Sequence, residues 1–281
     1  MIKLIREVLV LDTSGEKIFH RAYTRSKEIS VDAILPTILG ASERMETGNI
    51  EHTNIVRFRF SYLKSTDRIF AVLSDRTNSE REIQEALLQI ATTFIKRFGQ
   101  ESQTDNSSQV ADGFNREVIE IVSKLPVKLS LVGFGGVGKT TMLRLLRKEE
   151  IPMKYTPTIF ADREPLTVTV GIYYVMVFDF AGQEQFMAAW DILVKGTEVI
   201  AIVTDSTVDN IKLTREKILP LVKSKAPYSK IIAIANKQDR GNAIPPEEIE
   251  EILGIKSYGL VAIEKSERSS LLELLEQMIL E

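Results

Sequence analysis

The chain has 281 residues, of which 44% are hydrophobic, with a net charge of only −3; that suffices for two ordinary domains with real cores and excludes global disorder. Residues 1–98 carry fifteen Lys and Arg against thirteen Asp and Glu, a balance that does not suggest a nucleic-acid binder, which needs a concentrated basic face. The absence of cysteine excludes disulfides, thiol catalysis and cysteine metal sites, and no apolar run reaches the roughly 18–20 residues of a membrane span.

Val8–Asp12 and Lys17–Tyr23 read as strands, with Ser14-Gly15 turning between them. Asp32–Met45 reads as a helix with Pro36 in its first turn, where a missing N–H does no harm. Gly48-Asn49 breaks the chain. Ile55–Tyr62 alternates as a strand, Val56, Phe58 and Phe60 on one face and Arg57, Arg59 and Ser61 on the other. The Arg57/Arg59 face reads as a solvated strand face rather than a docking surface. Ile69–Leu73 is a further strand. Ser79 and Glu82 have the spacing of a capping box before a helix whose stripe is Ile83, Leu87, Ile90, Phe94, Ile95 and Phe98. Residues 99–113 are polar and read as a linker. Phe114, Val118, Ile121 and Val122 then mark a connecting helix within 114–126.

Residues 127–281 alternate strands and helices, which predicts an open α/β sheet. The strands are expected at Val127–Val132, Leu166–Val170, Tyr173–Phe178, Val199–Thr204, Lys230–Ala235 and Tyr258–Ile263, with a last helix over Ser269–Leu280. Ligands of such sheets sit at the carboxyl ends of the strands, and four motifs fall there. Gly133-Phe-Gly135-Gly136-Val137-Gly138-Lys139-Thr140, followed by Thr141, fits the phosphate-binding pattern between a strand and a helix. Its backbone amides and helix N-terminus suit phosphates. Lys139 is placed for the β- and γ-phosphates and the Thr140 hydroxyl for Mg²⁺.

Asp179-Phe-Ala-Gly182-Gln183 follows a second strand. Asp179 suits Mg²⁺ through a water, the Gly182 N–H suits the γ-phosphate, and Gln183 would orient the attacking water. Thr158 is the candidate second Mg²⁺ hydroxyl, with Thr156 and Thr167 as neighbouring alternatives. Asn236-Lys237-Gln238-Asp239 follows a third strand. The Asp239 carboxylate can accept both the N1–H and the 2-amino donors of guanine, which adenine lacks. This points to GTP and GDP rather than ATP.

These segments resemble the Ras superfamily of small GTPases across residues 127–281, and the Arf-like branch most closely. Pro157-Thr158-Ile159-Phe160, Trp190 and Asn-Lys-Gln-Asp are similar to that branch. Asp-Phe-Ala-Gly-Gln-Glu and Gly-Gly-Val-Gly-Lys-Thr look more like Ras and Rab proteins. In related GTPases a Ser-Ala-Lys-type loop also touches the base; Ala262 in Val261-Ala262-Ile263 matches its alanine. Trp190 reads more readily as a core aromatic, and Arg163 as a weak candidate for an internal arginine finger. The order strand–strand–helix–strands–helix over residues 1–98 is similar to a longin domain, as is the opening Ile-Arg-Glu-Val-Leu-Val-Leu-Asp-Thr-Ser-Gly. The related roadblock fold uses similar elements.

The expectation is thus an α/β P-loop small GTPase domain with a mostly parallel six-stranded sheet, preceded by an α+β longin-like domain. The resemblance implies a Mg²⁺-dependent, slowly hydrolysing GTP switch with exchange factors, activating proteins and effectors. It implies that the longin domain is a partner platform or a dimerisation module, for a homodimer or for longin and roadblock partners, in trafficking-type systems. Such a fusion would suit an archaeon. The second residue is Ile2 rather than the glycine that myristoylation needs, there is no C-terminal cysteine for prenylation, and the Arf amphipathic N-terminal helix is missing. A cytoplasmic protein without a lipid anchor is expected, with membrane contact at most peripheral. The rival reading is a nucleotide-bound scaffold that does not cycle.

Overall fold

The computed structural model describes residues 5–24, 31–77, 79–99, 108–125, 127–151, 165–179, 194 and 196–280. Thr156, Thr158, Arg163, Gly182, Gln183 and Trp190 lie outside these residues. The chain divides into two units, Met1–Pro126 and Val127–Ile279.

The first unit runs β1 (Ile5–Asp12), β2 (Lys17–Ala22), α1 (Val31–Ser42), β3 (Ile50–Ile55), β4 (Phe58–Lys64), β5 (Arg68–Asp75), α2 (Glu80–Phe98) and α3 (Ser108–Ser123). Its strands form an antiparallel sheet in the order β2-β1-β5-β4-β3. The first hairpin closes because the Asp12 carboxylate accepts the Ser14 N–H at 2.9 Å and the Glu16 N–H at 2.8 Å, a turn chemistry typical of aspartate. Leu9, Leu11, Phe60, Ile69 and Leu73 pack with Val31, Ile34 and Ile38 of α1. The alternate face of β5 meets α2, with the Phe70 and Phe94 rings 5.6 Å apart. β5 is therefore buried along its whole length.

Three local expectations are corrected in this unit. Ile55–Tyr62 is not one strand: the chain reverses at Val56-Arg57 between β3 and β4, with Val56 at φ +53°. Arg59 is not on a solvated face but 8% exposed, its guanidinium 3.2 Å from Glu80 and its Nε donating to Asn54 at 3.1 Å. The reason is that α2 covers that side of the sheet, so a polar strand position meets a helix rather than water. Finally, Ser79 makes no side-chain capping bond; the first turn of α2 instead carries Glu80 and Glu82, whose charge suits the positive end of the helix dipole.

Helix α3 begins at Ser108, six residues before the first apolar position of its stripe. Residues 108–113, Ser-Gln-Val-Ala-Asp-Gly, carry no apolar stripe at helical spacing. The Phe114 ring lies 4.7 Å from Phe19 and 5.1 Å from Phe94, so this helix packs on α2 and β2.

The second unit runs β6 (Val127–Val132), α4 (Lys139–Arg147), β7 (Leu166–Val170), β8 (Tyr173–Asp179), β9 (Val199–Thr204), α5 (Val208–Leu213), α6 (Leu219–Lys225), β10 (Lys230–Asn236), α7 (Pro246–Leu253), β11 (Ser257–Leu260) and α8 (Glu267–Leu280). Thr214–Ile218, between α5 and α6, is π-helical. The sheet order is β11-β10-β9-β6-β8-β7, with only β7 antiparallel to its neighbour among the described strands. β11 stops at Leu260, opposite Asn236, where β10 itself ends; the ladder has no further partner, so Val261–Ile263 leave the sheet. β6 has β8 on one side and β9 on the other. That reversal of strand order opens a crevice at the carboxyl ends, where sheets of this kind bind ligands.

Candidate nucleotide site

The loop after β6 turns back on itself and feeds α4. A Cβ on Gly133, at φ +154°, would stand 2.3 Å from the Val203 carbonyl oxygen. One on Gly138, at φ +110°, would stand 2.1 Å from Asn236 Nδ2. These two positions require glycine because backbone and neighbour approach too closely for any side chain. Gly135, Gly136 and Val137 form the body of the loop, and Thr141 lies in the first turn of α4.

Lys139 folds back over this loop, its ammonium donating to the Gly133 and Phe134 carbonyls at 2.9 Å each. It is 6% exposed. Burial lowers its pKa to about 8, and the Asp179 carboxylate opposes that shift. The Thr140 hydroxyl donates to Asp179 Oδ2 at 2.5 Å. A hydroxyl from the start of α4 and a carboxylate from the end of β8 thus meet at one point. Mg²⁺ takes oxygen ligands at short range, and this pair of hard oxygen donors fits it.

Asn236-Lys237-Gln238-Asp239 is joined to the loop after β6 by direct bonds. Asn236 is 2% exposed. Its Nδ2 donates to the Val137 carbonyl at 2.8 Å, and its Oδ1 accepts the Ala262 N–H at 3.0 Å. Lys237, in left-handed backbone at φ +66°, donates to the Gly136 carbonyl at 2.6 Å and lies 3.8 Å from Asp205. Desolvation lowers its pKa, reinforced by Arg240 and opposed by Asp205 and Asp239. Asp239 is exposed, so its carboxylate is open to a ligand.

The structure therefore brings together the phosphate loop, Thr140, Asp179, Asn236, Lys237 and Ala262. It pairs the Asn236 side chain with the Ala262 amide. The placements of Thr158, Gly182 and Gln183 are outside the described residues; Thr167 is in β7. Sequence reading missed Asp205 and Ser206, which follow β9 directly. The available signal was positional: like the other motifs, Asp205-Ser206 sits at the carboxyl end of an apolar strand.

Comparison with known proteins agrees with this geometry. Residues 116–274 match the model of the ADP-ribosylation factor family. The chain is 32% identical over 156 residues to the Ras-like protein rasC of Dictyostelium discoideum, covering 53% of this chain and 80% of that protein. It is also 32% identical over 137 residues to the ADP-ribosylation factor-like protein alp41 of Schizosaccharomyces pombe, covering 47% and 70%. The human ADP-ribosylation factor-like protein 5A is 28% identical over 132 residues, covering 46% and 72%. With the Gly133–Thr141 loop bonded to Asn236 and Lys237 and a family match over more than half its length, the chain belongs to the ADP-ribosylation factor family and is a guanine-nucleotide-binding small GTPase of the Ras superfamily.

Proposed function

We propose that the chain is a Mg²⁺-dependent switch that hydrolyses GTP slowly and whose N-terminal unit, a longin-like domain, serves as a partner or dimerisation platform. The observation that carries the catalytic half is the 2.5 Å bond between Thr140 and Asp179. It supports a metal position directly beside the phosphate loop.

In this reading Lys139 binds the β- and γ-phosphates, exchanging two backbone carbonyls for phosphate oxygens. The amides of Gly133–Thr141 and the start of α4 receive the remaining negative charge. Thr140 and Asp179 would together hold Mg²⁺. When bound, the ion neutralises charge developing on the phosphate oxygens. Asp239 accepts the guanine N1–H and 2-amino group, Lys237 lies along the base, and Asn236 and Ala262 hold the two loops at the correct separation. Thr158 supplies a second hydroxyl to the metal, the Gly182 N–H reaches the γ-phosphate, and Gln183 orients the attacking water. Loss of the γ-phosphate releases the segments that carry Thr158 and Gly182. Exchange factors, activating proteins and effectors belong to this cycle, and trafficking or another membrane-associated process is the setting we favour.

The test is to purify the protein with Mg²⁺, denature it and identify the released nucleotide. GDP near one per chain is expected, and adenine nucleotide would overturn the role of Asp239. The Gln183→Leu variant should bind GTP as the parent does while single-turnover hydrolysis falls by about tenfold or more; unchanged turnover removes Gln183 from the mechanism. A nucleotide that never exchanges, with partner binding indifferent to it, would favour the scaffold instead.

A further inference from the structure

One residue, Gln238, separates Lys237 from Asp239, and its side chain is bonded into the neighbouring loops. Gln238 Nε2 donates to Ser206 Oγ at 2.8 Å and to the Ile244 carbonyl at 3.0 Å. Ser206 Oγ in turn donates to the Asn236 carbonyl at 2.6 Å, while the Ser206 carbonyl accepts the Ile244 N–H at 2.8 Å. The Gln238 N–H reaches the Leu260 carbonyl at 3.3 Å. The loops after β9 and after β10 and the approach to α7 are thereby closed into a ring of hydrogen bonds beneath the base-reading motif.

Two residues of this region carry unfavourable backbone. Ser206 and Lys237 lie at φ +63° and +66°, a conformation that non-glycine residues adopt only when their surroundings over-determine it. The ring supplies that constraint. Ser206 is fully buried. From the other side, a Cβ on Gly259 would stand 2.9 Å from Pro246 Cγ and 3.4 Å from Gln238 Cγ, so the Gln238 stem has no space to swing toward β11.

We propose that Gln238 and Ser206 are positioning residues that set the orientation of the Asp239 carboxylate, and with it the preference for guanine over a purine without the 2-amino group. This rests on reading Asp239 as the guanine acceptor. Two parallel hydrogen bonds to one carboxylate demand that both oxygens lie in the plane of the base, and such paired contacts are where geometry gives specificity. With the ring opened, the motif rocks. One bond survives by following the ligand, and the second is lost. The loss falls on the 2-amino contact.

The experiment measures dissociation constants of GDP and of inosine diphosphate, which keeps N1–H and lacks the 2-amino group, on the full chain. Gln238→Met preserves volume and removes both donors. The GDP preference should fall by about five- to tenfold, the size of one lost hydrogen bond, with inosine diphosphate nearly unaffected. Ser206→Gly should move the ratio the same way although glycine removes the left-handed strain. Equal weakening of the two nucleotides in both variants would make the ring merely structural and overturn the proposal. The Asp239→Asn variant serves as the control. If it keeps the parent's GDP preference, the Asp239 reading itself fails, and that is seen without the Gln238 data.

Discussion

Gly133 has no room for a methyl group. Because the atom it would strike is the Val203 backbone oxygen at 2.3 Å, no rotamer change relieves the contact. Gly133→Ala should therefore destabilise the protein by roughly 3 kcal/mol or more and abolish GDP binding; denaturant unfolding and nucleotide titration check the two effects separately. His52 offers a test in the other unit. Its Nδ1 lies 2.8 Å from Ser61 Oγ, and its Nε2 lies 3.1 Å from the Gln84 amide nitrogen. Desolvation pulls its pKa below the ordinary 6.5, against Glu80. Since the unfolded chain takes up the proton first, stability present at neutral pH is lost as pH falls from about 6.5 toward the folded pKa. His52→Gln should flatten the fall in denaturation midpoint between pH 7 and pH 5; an unchanged slope would mean that the ring is solvated. The glycines of the phosphate loop were legible because a single chemistry demands them at fixed spacing. The roles of Ser206 and Gln238 were legible only as positions beside strand ends, since a buried serine and a half-buried glutamine make their contacts only after distant loops meet.

At the level of elements, the second unit followed its sequence pattern closely, because buried parallel strands read as continuous apolar runs bounded by motif loops. The β3–β4 hairpin did not. Val56, Phe58 and Phe60 alternate with Arg57, Arg59 and Ser61 straight through the turn, and neither Val56 nor Arg57 is a turn-forming residue, so periodicity alone predicts one strand. The cost of that unmarked turn is local: a β-branched residue at φ +53° with 80% of its surface exposed. Val56→Gly removes the clash of Cβ with the following carbonyl and gives up no packing. A stabilisation of about 1 kcal/mol is expected, read as a rise in thermal midpoint, and a fall would mean that the valine is needed for the hairpin. The π-helical turn at Thr214–Ile218 was likewise invisible, since Ile211, Thr214 and Ile218 keep the spacing of an ordinary helix stripe and all face inward.

Across the whole molecule, function was legible only in the half that does chemistry. Nucleotide recognition needs particular atoms at particular spacings, whereas residues 1–98 carry no such constellation and show only the pattern of a foldable sheet. The two units should differ in their response to ligand. GDP at about a hundred times its Kd stabilises a binding unit by roughly 2.7 kcal/mol. Hydrogen exchange on the intact chain should register that gain across β6, β9 and β10, and leave the β1–β5 sheet unprotected beyond its starting level. Equal protection of both would mean that they unfold as one.

Asn236 also sets an order of events. Its amide is satisfied only when Val137, ninety-nine residues earlier, and Ala262, twenty-six residues later, are both in place. During synthesis the phosphate loop leaves the ribosome long before either contact is available. Most of the chain is therefore made before the Asn236 contacts can both form, and they close only once the edge strand β11 has paired with β10 and brought Ala262 into place.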